Sequence, residues 1–126
     1  MTEFSVRLAN RPGQLASLTR LLADAGVEIE ALATVAADGH SHIRFVVQNS
    51  ARVRRVLMAA DLAFEERDIL DMYLQRGSGS LAQMVEGLAH SGVNIDSMYL
   101  LHSDAEGFHL ALTVDDADTA IRAIAG

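Results

Sequence analysis

Residues 10–29 read NRPGQLASLTRLLADAGVEI, and residues 76–95 read RGSGSLAQMVEGLAHSGVNI. The two stretches share glycine, leucine and isoleucine at matching places, and the offset is 66 residues throughout, as from Gly13 to Gly79. A repeat at a constant offset indicates a duplicated structural unit. The chain is therefore predicted to fold as two similar units, each with a glycine turn that leads into a helix.

Hydrophobic spacing predicts the elements of the first copy. Alternating apolar residues predict strands over 4–8, 31–36, 42–48 and 63–67, and three- to four-residue spacing predicts helices over 13–25 and 50–60. Ser50 is the expected N-cap of the second helix. The order βαββαβ is that of the ferredoxin-like α+β sandwich. Residues 69–74 begin the second copy, so we expect one unit over 1–68 and another over 69–126.

The second copy departs from the first in two ways. Its offset grows from 66 to 67 within the hairpin, so one extra residue is expected in the loop from Asp104 to Gly107. The second copy is also expected to have no closing strand of its own after its second helix. Either one strand over 63–75 serves both sheets or a second molecule covers the open edge. We expect both, and hence a homodimer, because exposed edges favour strand pairing.

Composition narrows the possible partners. The 126 residues are 50% hydrophobic, carry a net charge of −7 and contain no cysteine. An acidic chain does not suit a phosphate backbone, and the short cluster Arg52, Arg54 and Arg55 is expected to be a solvated helix face. The first residues, Met1 to Phe4, have no basic flank and no apolar h-region, so no signal peptide is expected, and no apolar stretch reaches membrane-spanning length. We expect a cytoplasmic protein that binds neither nucleic acid nor membrane.

The repeated glycine loop suggests a ligand site. It places backbone N–H groups at the first turn of a helix, where they lack intrahelical acceptors and favour an anion such as a carboxylate. A glycine turn before a helix also serves simply to reverse the chain, so the loop by itself is weak evidence. The segments after the helices carry polar groups as well, Glu28 and Glu30 in the first copy and Asn94 and Asp96 in the second.

In combination, these loops and segments resemble the ACT domain, a small-molecule regulatory module of amino-acid metabolism. The resemblance rests on the loop 10–15 with the segment 24–29, and on the loop 77–81 with the segment 90–96. The resemblance covers nearly the whole chain, as a tandem pair with no catalytic domain attached. It implies an amino-acid site between two units, where the glycine loop of one faces the start of the second strand of the other. An amide on each side would hold the ligand's backbone groups, because an amide both donates to a carboxylate and accepts from an ammonium.

By this resemblance the two sites of the pair are not equivalent. The first would be built from Asn10, Arg11, Pro12, Gly13, Gln14 and Leu15 with Asn94, Ile95 and Asp96. The second would be built from Arg76, Gly77, Ser78, Gly79, Ser80 and Leu81 with Glu28, Ile29 and Glu30. The first has both amides and the second has neither, although Arg76 facing Glu28 would offer an ion pair instead. We expect one competent and one degenerate site, and the apolar surroundings of Leu8, Gln14 and Leu32 slightly favour an aliphatic amino acid over a purine or another effector.

Enzymatic activity is not expected, because the sequence has no nucleophile elbow, no P-loop and no dinucleotide fingerprint. No cofactor is expected either. His40, His42 and His109 leave metal binding as an alternative, although they are more simply explained as solvated histidines at hairpin ends.

A further alternative is a protein-interaction subunit that reports amino-acid level to a biosynthetic enzyme. An exposed apolar patch would favour it, and the candidate residues are Ile69, Tyr73, Tyr99 and Leu101. These side chains are otherwise expected to be buried against the sheet of the other unit.

Overall fold

A computed structural model describes residues 1–125, which form two compact units that meet in sequence between Asp68 and Ile69. The first unit contains β1 (Thr2–Ala9), α1 (Gln14–Asp24), β2 (Ala31–Ala37), β3 (His40–Val47), α2 (Ser50–Ala59) and β4 (Phe64–Asp68). The second contains β5 (Leu70–Gln75), α3 (Ser80–His90), β6 (Ile95–Ser103), β7 (Gly107–Val114) and α4 (Ala117–Ala125).

Each unit packs two helices on one face of an antiparallel sheet. The first sheet has the order β2-β3-β1-β4 and the second has the order β5-β7-β6. Alternate residues of β1 and β3 meet apolar residues of α1 and α2 in the first core, and α3 and α4 cover the second core in the same way. The predicted ferredoxin-like α+β class is confirmed. Among residues 1–125, no helix is both long and apolar enough to cross a membrane.

The extra residue of the second copy lies in a strand and not in the hairpin loop. Val35 pairs with His42 in the first hairpin, and His102 pairs with His109 in the second, so six residues separate the partners in both. The register shifts between Leu100 and His102, where a β-bulge takes up the added residue. The prediction that placed the extra residue in the loop is wrong. The change of offset between the two copies shows that one residue has been added, but it does not show at which position.

The segment over residues 63–75 does not form one strand shared by both sheets. Ile69 interrupts it, so that β4 belongs to the first sheet and β5 to the second. In the first unit β1 is paired on both sides, by β3 and by β4. Among the described residues, its counterpart β5 pairs with β7 alone.

The N-cap of α2 is Asn49 and not Ser50. The Asn49 side chain accepts a hydrogen bond from the Arg52 N–H at 3.1 Å. Asp116 has the same role before α4, accepting from the Thr119 N–H at 3.0 Å. Both Asn and Ser are favourable caps, and residue type alone does not distinguish two adjacent candidates.

Candidate functional site

The loop before α1 leaves the N-terminus of the helix open. Gly13 precedes the helix with a φ of 90°, in the left-handed region that glycine tolerates, and no side chain caps this end. The Gln14 N–H is directed back to the Arg11 carbonyl at 3.3 Å. The N–H groups that follow in the first turn have no intrahelical acceptor and are suited to an anion.

The loop before α3 has the same backbone. Gly79 also has a φ of 90°, and no side chain caps this helix either. The Ser80 hydroxyl donates to the Gly77 carbonyl at 3.1 Å, and this hydrogen bond tightens the turn. Ser78 stands at the position that Pro12 has in the first loop. The two loops therefore share one conformation with different side chains.

Asn10 at the start of the first loop is oriented by the neighbouring hairpin. Its N–H donates to the Gly39 carbonyl at 3.2 Å, and its side-chain oxygen accepts from the Ser41 hydroxyl at 3.1 Å. Within residues 1–125, no hydrogen bond from the side-chain NH₂ group is found. This exposed amide is therefore fixed by its oxygen and presents its donors to solvent.

Arg76 occupies the corresponding place in the second unit and is already engaged there. Its Nε donates to the Asp104 carbonyl at 2.9 Å, and its terminal nitrogen donates to the Ser103 hydroxyl at 2.8 Å. The guanidinium also lies 4.6 Å from the centre of the Phe108 ring, a cation–π contact. The structure thus gives Arg76 partners in its own hairpin, where the sequence had suggested an ion pair with Glu28.

The segment that leads into β6 presents acceptors. The Asn94 N–H donates to the Asp115 carboxylate at 2.8 Å, which fixes the backbone. The exposed Asn94 side chain donates from its NH₂ group to the Asp96 carboxylate at 2.7 Å. Ile95 between them packs against the second core.

The matching segment of the first unit is acidic. Glu28 and Glu30 are exposed and line a shallow cavity of about 280 Å³, whereas Ile29 packs against the first core. The Glu30 N–H donates to the Val46 carbonyl at 2.8 Å, so this segment is held to β3. Two carboxylates thus stand where the second unit carries an amide and one carboxylate.

The charges of the two units also differ. The first unit contains eight of the ten arginines and nine of the seventeen acidic residues, for a net charge of −1. The second unit contains the other two arginines and eight acidic residues, for a net charge of −6. A cationic group is therefore attracted more strongly to the second unit than to the first.

Sequence reasoning missed three residues that shape the site, namely Ser41, Ser103 and Asp115. Ser41 lies opposite Leu8 in the register of β1 and β3, two residues before Asn10. An explicit pairing of the predicted strands would have brought these residues together. Of the residues expected to select the ligand side chain, Leu8 and Gln14 are half-buried and Leu32 is 45% exposed.

The histidines are more engaged than the sequence suggested. His109 lies 2.7 Å from the Asp71 carboxylate and stacks on the Tyr73 ring at 4.3 Å between ring centres. His40 bonds the Asp38 carbonyl at 3.0 Å, and both His40 and His42 are half-buried. The expectation of freely solvated histidines is therefore wrong. No group of three or more histidine, cysteine, aspartate or glutamate side chains suited to a metal ion occurs within residues 1–125.

The four candidate patch residues do not form one exposed surface. Tyr73 is 76% exposed, but Tyr99 is only 8% exposed. Ile69 and Leu101 are half-buried. Tyr73 on β5 is the part of the expected patch that reaches solvent.

The two ferredoxin-like units each have an open helix N-terminus behind a glycine loop. Residues 2–60, which make up most of the first unit, match the ACT domain family. The second unit, which lies outside this match, repeats the order of strands and helices of the first unit as far as its second helix.

Solved structures show the same fold over 98% of the chain. A protein from Bacteroides thetaiotaomicron has a TM-score of 0.86 at 21% identity, with 85% of its own chain covered. The regulatory subunits of aspartate kinase from Thermus thermophilus and Thermus flavus have TM-scores of 0.68 and 0.66 at 19% and 18% identity, each with 90% covered. At these identities the likeness shows the fold. No curated protein matches the sequence.

Proposed function

We propose that this chain is a non-catalytic regulatory module that binds a free amino acid between the first glycine loop and the segment Asn94–Asp96. The observation that carries the proposal is chemical complementarity. The loop offers hydrogen-bond donors, and the segment offers acceptors and negative charge. A zwitterion needs both, donors for its carboxylate and acceptors for its ammonium.

The donor half of the proposed site consists of the first-turn N–H groups of α1 and the Asn10 side chain. Gly13 keeps the helix end free of any side-chain cap. The Ser41 hydroxyl donates to the side-chain oxygen of Asn10, so the NH₂ group is the part of this amide that we propose binds the ligand. Arg11 in the same loop adds a positive charge that favours a carboxylate.

The acceptor half consists of the Asn94 oxygen and the Asp96 carboxylate. The hydrogen bond between these two side chains holds them as a unit. The negative charge of the second unit also favours the ammonium group of the ligand. We propose that the ammonium is bound here.

The second site is proposed to be degenerate. The donors of Arg76 are used by Ser103 and Asp104, so they are less available to a carboxylate than the amide of Asn10. Glu28 and Glu30 would repel the ligand's carboxylate and offer no amide donor. One ligand per chain is the expected stoichiometry.

The side chain of the ligand is proposed to be aliphatic, since Leu8 and Leu32 present apolar surface without a charged partner. As a regulatory module the chain is proposed to act in the cytoplasm as a homodimer and to report ligand level to a partner enzyme. The regulatory subunits of aspartate kinase that share the fold support this role. The exposed Tyr73 favours the related possibility of a protein-interaction subunit.

A thermal-shift screen against the common amino acids tests the proposal, because a ligand of the folded state raises stability by mass action. Purines and divalent metals in the same screen test the alternatives. The best ligand is then titrated by calorimetry, with one site per chain expected. Asn10→Ala and Asn94→Ala should each weaken binding at least about tenfold, or about 1.4 kcal/mol.

Glu28→Ala is the matched control, since it removes a polar side chain from the corresponding segment of the other unit. It should change the affinity less than about twofold. Two equivalent sites per chain, or full affinity in Asn94→Ala, would contradict the proposal. A response to metals or purines with none to amino acids would replace it by one of the alternatives.

A further inference from the structure

A cavity of about 510 Å³ lies on the face of the first sheet that is turned away from α1 and α2. Alternate residues of β1 and β3 pack in the first core, so the residues between them project to the opposite face. Ser5 and Arg7 on β1, with His42 and Arg44 on β3, line the cavity in this way. Glu65 on β4 lines it as well. Among the described lining residues, two arginines and a histidine stand against one carboxylate, so the cavity is positive.

The register of the sheet brings these side chains together. Arg7 lies directly opposite His42, and Ser5 lies directly opposite Arg44. The Cβ atoms of opposite residues are about 4.5–5.5 Å apart, so the four side chains form one compact group on neighbouring strands. Neither the Arg7 nor the His42 side chain has a hydrogen bond or an ion pair with any of residues 1–125. A guanidinium and an imidazole thus lie side by side without an acceptor from their own unit.

The second unit shows what an imidazole at this position binds. His109 corresponds to His42, and Tyr73 lies opposite it on the neighbouring strand. The Asp71 carboxylate lies 2.7 Å from Nε2 of His109, and the Tyr73 ring stacks on the imidazole. The second unit therefore supplies an anion to this histidine from its own chain.

The first unit has a small hydroxyl at the position of that carboxylate, with cations around it. Ser5 stands at the position of Asp71. Arg7 stands at the position of the tyrosine, and Arg44 at that of the alanine opposite Asp71. One carboxylate has been replaced and two guanidinium groups are present around one histidine. This arrangement favours an anion taken from solution.

We propose that this cavity binds a phosphate group, free or as part of a small phosphomonoester, in the place that the Asp71 carboxylate has in the second unit. Arg7 and His42 donate to it from one pair of opposite residues, and Arg44 and the Ser5 hydroxyl from the next. A planar guanidinium pairs with two phosphate oxygens at once, and a third terminal oxygen is left for the imidazole. A carboxylate has only two oxygens to offer this set of donors.

Glu65 restricts what else the ligand carries. It lies opposite Ser5 on the other side of β1, where its carboxylate repels a second anionic group and accepts a hydrogen bond from a hydroxyl or an amine. The site therefore suits one phosphate with a polar remainder and not a chain of phosphates. None of its residues belongs to the proposed amino-acid site, so the inference does not rest on that proposal.

The test is a titration of the full chain with inorganic phosphate and with glycerol phosphate at constant pH and ionic strength, without any amino acid. The imidazole signals of His42 in the NMR spectrum should shift and saturate, and His42→Gln identifies them by their loss. The signals of His109 should stay in place, because that imidazole already has a carboxylate partner. An equal response of His42 to chloride, or shifts at His109 as large as those at His42, would overturn the proposal.

Two substitutions of nearly equal size at Ser5 test the role of charge. Ser5→Asp gives the first unit the carboxylate of the second and should weaken phosphate binding at least about tenfold. Ser5→Asn adds similar bulk without the charge and should retain most of the affinity. Equal loss of binding in the two variants, or full affinity in Ser5→Asp, would contradict an anion site beside Ser5.

A further pair of variants separates this site from the glycine loop. Arg7→Gln should weaken phosphate binding at least about tenfold, whereas Asn10→Ala should leave it unchanged. Loss of phosphate binding in Asn10→Ala with none in Arg7→Gln would place the anion at the glycine loop and overturn the inference. Phosphate binding by a chain that binds no amino acid would support the inference and refute the proposed function.

Discussion

The loop before α1 and the loop before α3 have one backbone conformation and two different chemistries. Gly13 and Gly79 both have a φ of 90° and both leave the following helix uncapped. At the first residue of the loop, however, Asn10 presents an amide to solvent, whereas Arg76 is bound to its own hairpin. The backbone conformation is the same in both loops, and the loops differ in which polar side chains are already hydrogen-bonded within their own unit.

The cores of the two units differ in a similar way. In the first unit Phe4 stacks on Phe45 with ring centres 5.8 Å apart and contacts Phe64 of the closing strand. The corresponding residues of the second unit are Leu70 and Leu112, and within residues 1–125 no strand corresponds to β4 in its sheet. The first core thus contains a cluster of aromatic rings where the second has aliphatic side chains.

The largest expected effect separates these cores. Phe45→Ala removes a fully buried ring and should lower the free energy of unfolding by about 4 kcal/mol, and Leu112→Ala should lower it by about 3 kcal/mol. Urea denaturation of the whole chain measures both. A larger loss for Leu112→Ala would show that the second core is the more tightly packed.

The binding difference should be reversible by substitution. Arg76→Asn together with Glu28→Asn gives the second site the two amides of the first and should raise its affinity at least about tenfold, or 1.4 kcal/mol. Calorimetry should then report two ligands per chain. Arg76→Asn alone is the control and should leave one. A double variant that still binds one ligand would mean that amides are not what distinguishes the sites.

A smaller effect is expected from the proline of the first loop. Ser78→Pro should stabilise the chain by about 0.4–1 kcal/mol. The second loop has the backbone conformation of the first, which contains Pro12, and a proline reduces the conformational freedom of the unfolded chain. Pro12→Ser should lose a similar amount. Thermal unfolding of both variants measures this. Destabilisation by Ser78→Pro would indicate that the two backbones differ in solution.

The smallest effect concerns pH. Two hydrogen bonds from Arg54, at 2.6 and 2.8 Å, lower the pKa of Glu66 in the first unit. Because the folded pKa lies below the unfolded one, the contribution of Glu66 is complete above the ordinary glutamate pKa of about 4.3 and is lost as the pH falls through the folded value.

The thermal midpoint of Glu66→Gln should therefore approach that of the unsubstituted chain as the pH is lowered. In the second unit, backbone hydrogen bonds from Gly107 and Glu106 lower the pKa of Asp104. Asp104→Asn should thus behave in the same direction, although the main hydrogen bonds to this carboxylate come from backbone N–H groups and not from an arginine. A midpoint difference that is independent of pH would contradict both assignments.

Much of the fold was predictable from periodicity. Hydrophobic spacing located the helices and strands of the first unit, and the constant offset of the repeat extended them to the second. The N-cap of α2 and the bulge in β6 were not predictable. The first required a choice between adjacent residues Asn49 and Ser50, and the second is visible only when two strands are paired.

The sequence by itself determined the duplication, the glycine loops and the loss of both amides from one of the two residue sets, since these are properties of residue type and spacing. Only the tertiary structure decided which polar groups are already used. Ser41 reaches Asn10 from 31 residues away, and Asp104 reaches Arg76 from 28. Such partners meet only when strands pair. The pairing register depends on burial and on irregularities such as the two register shifts of β6, so neither segment determines it alone.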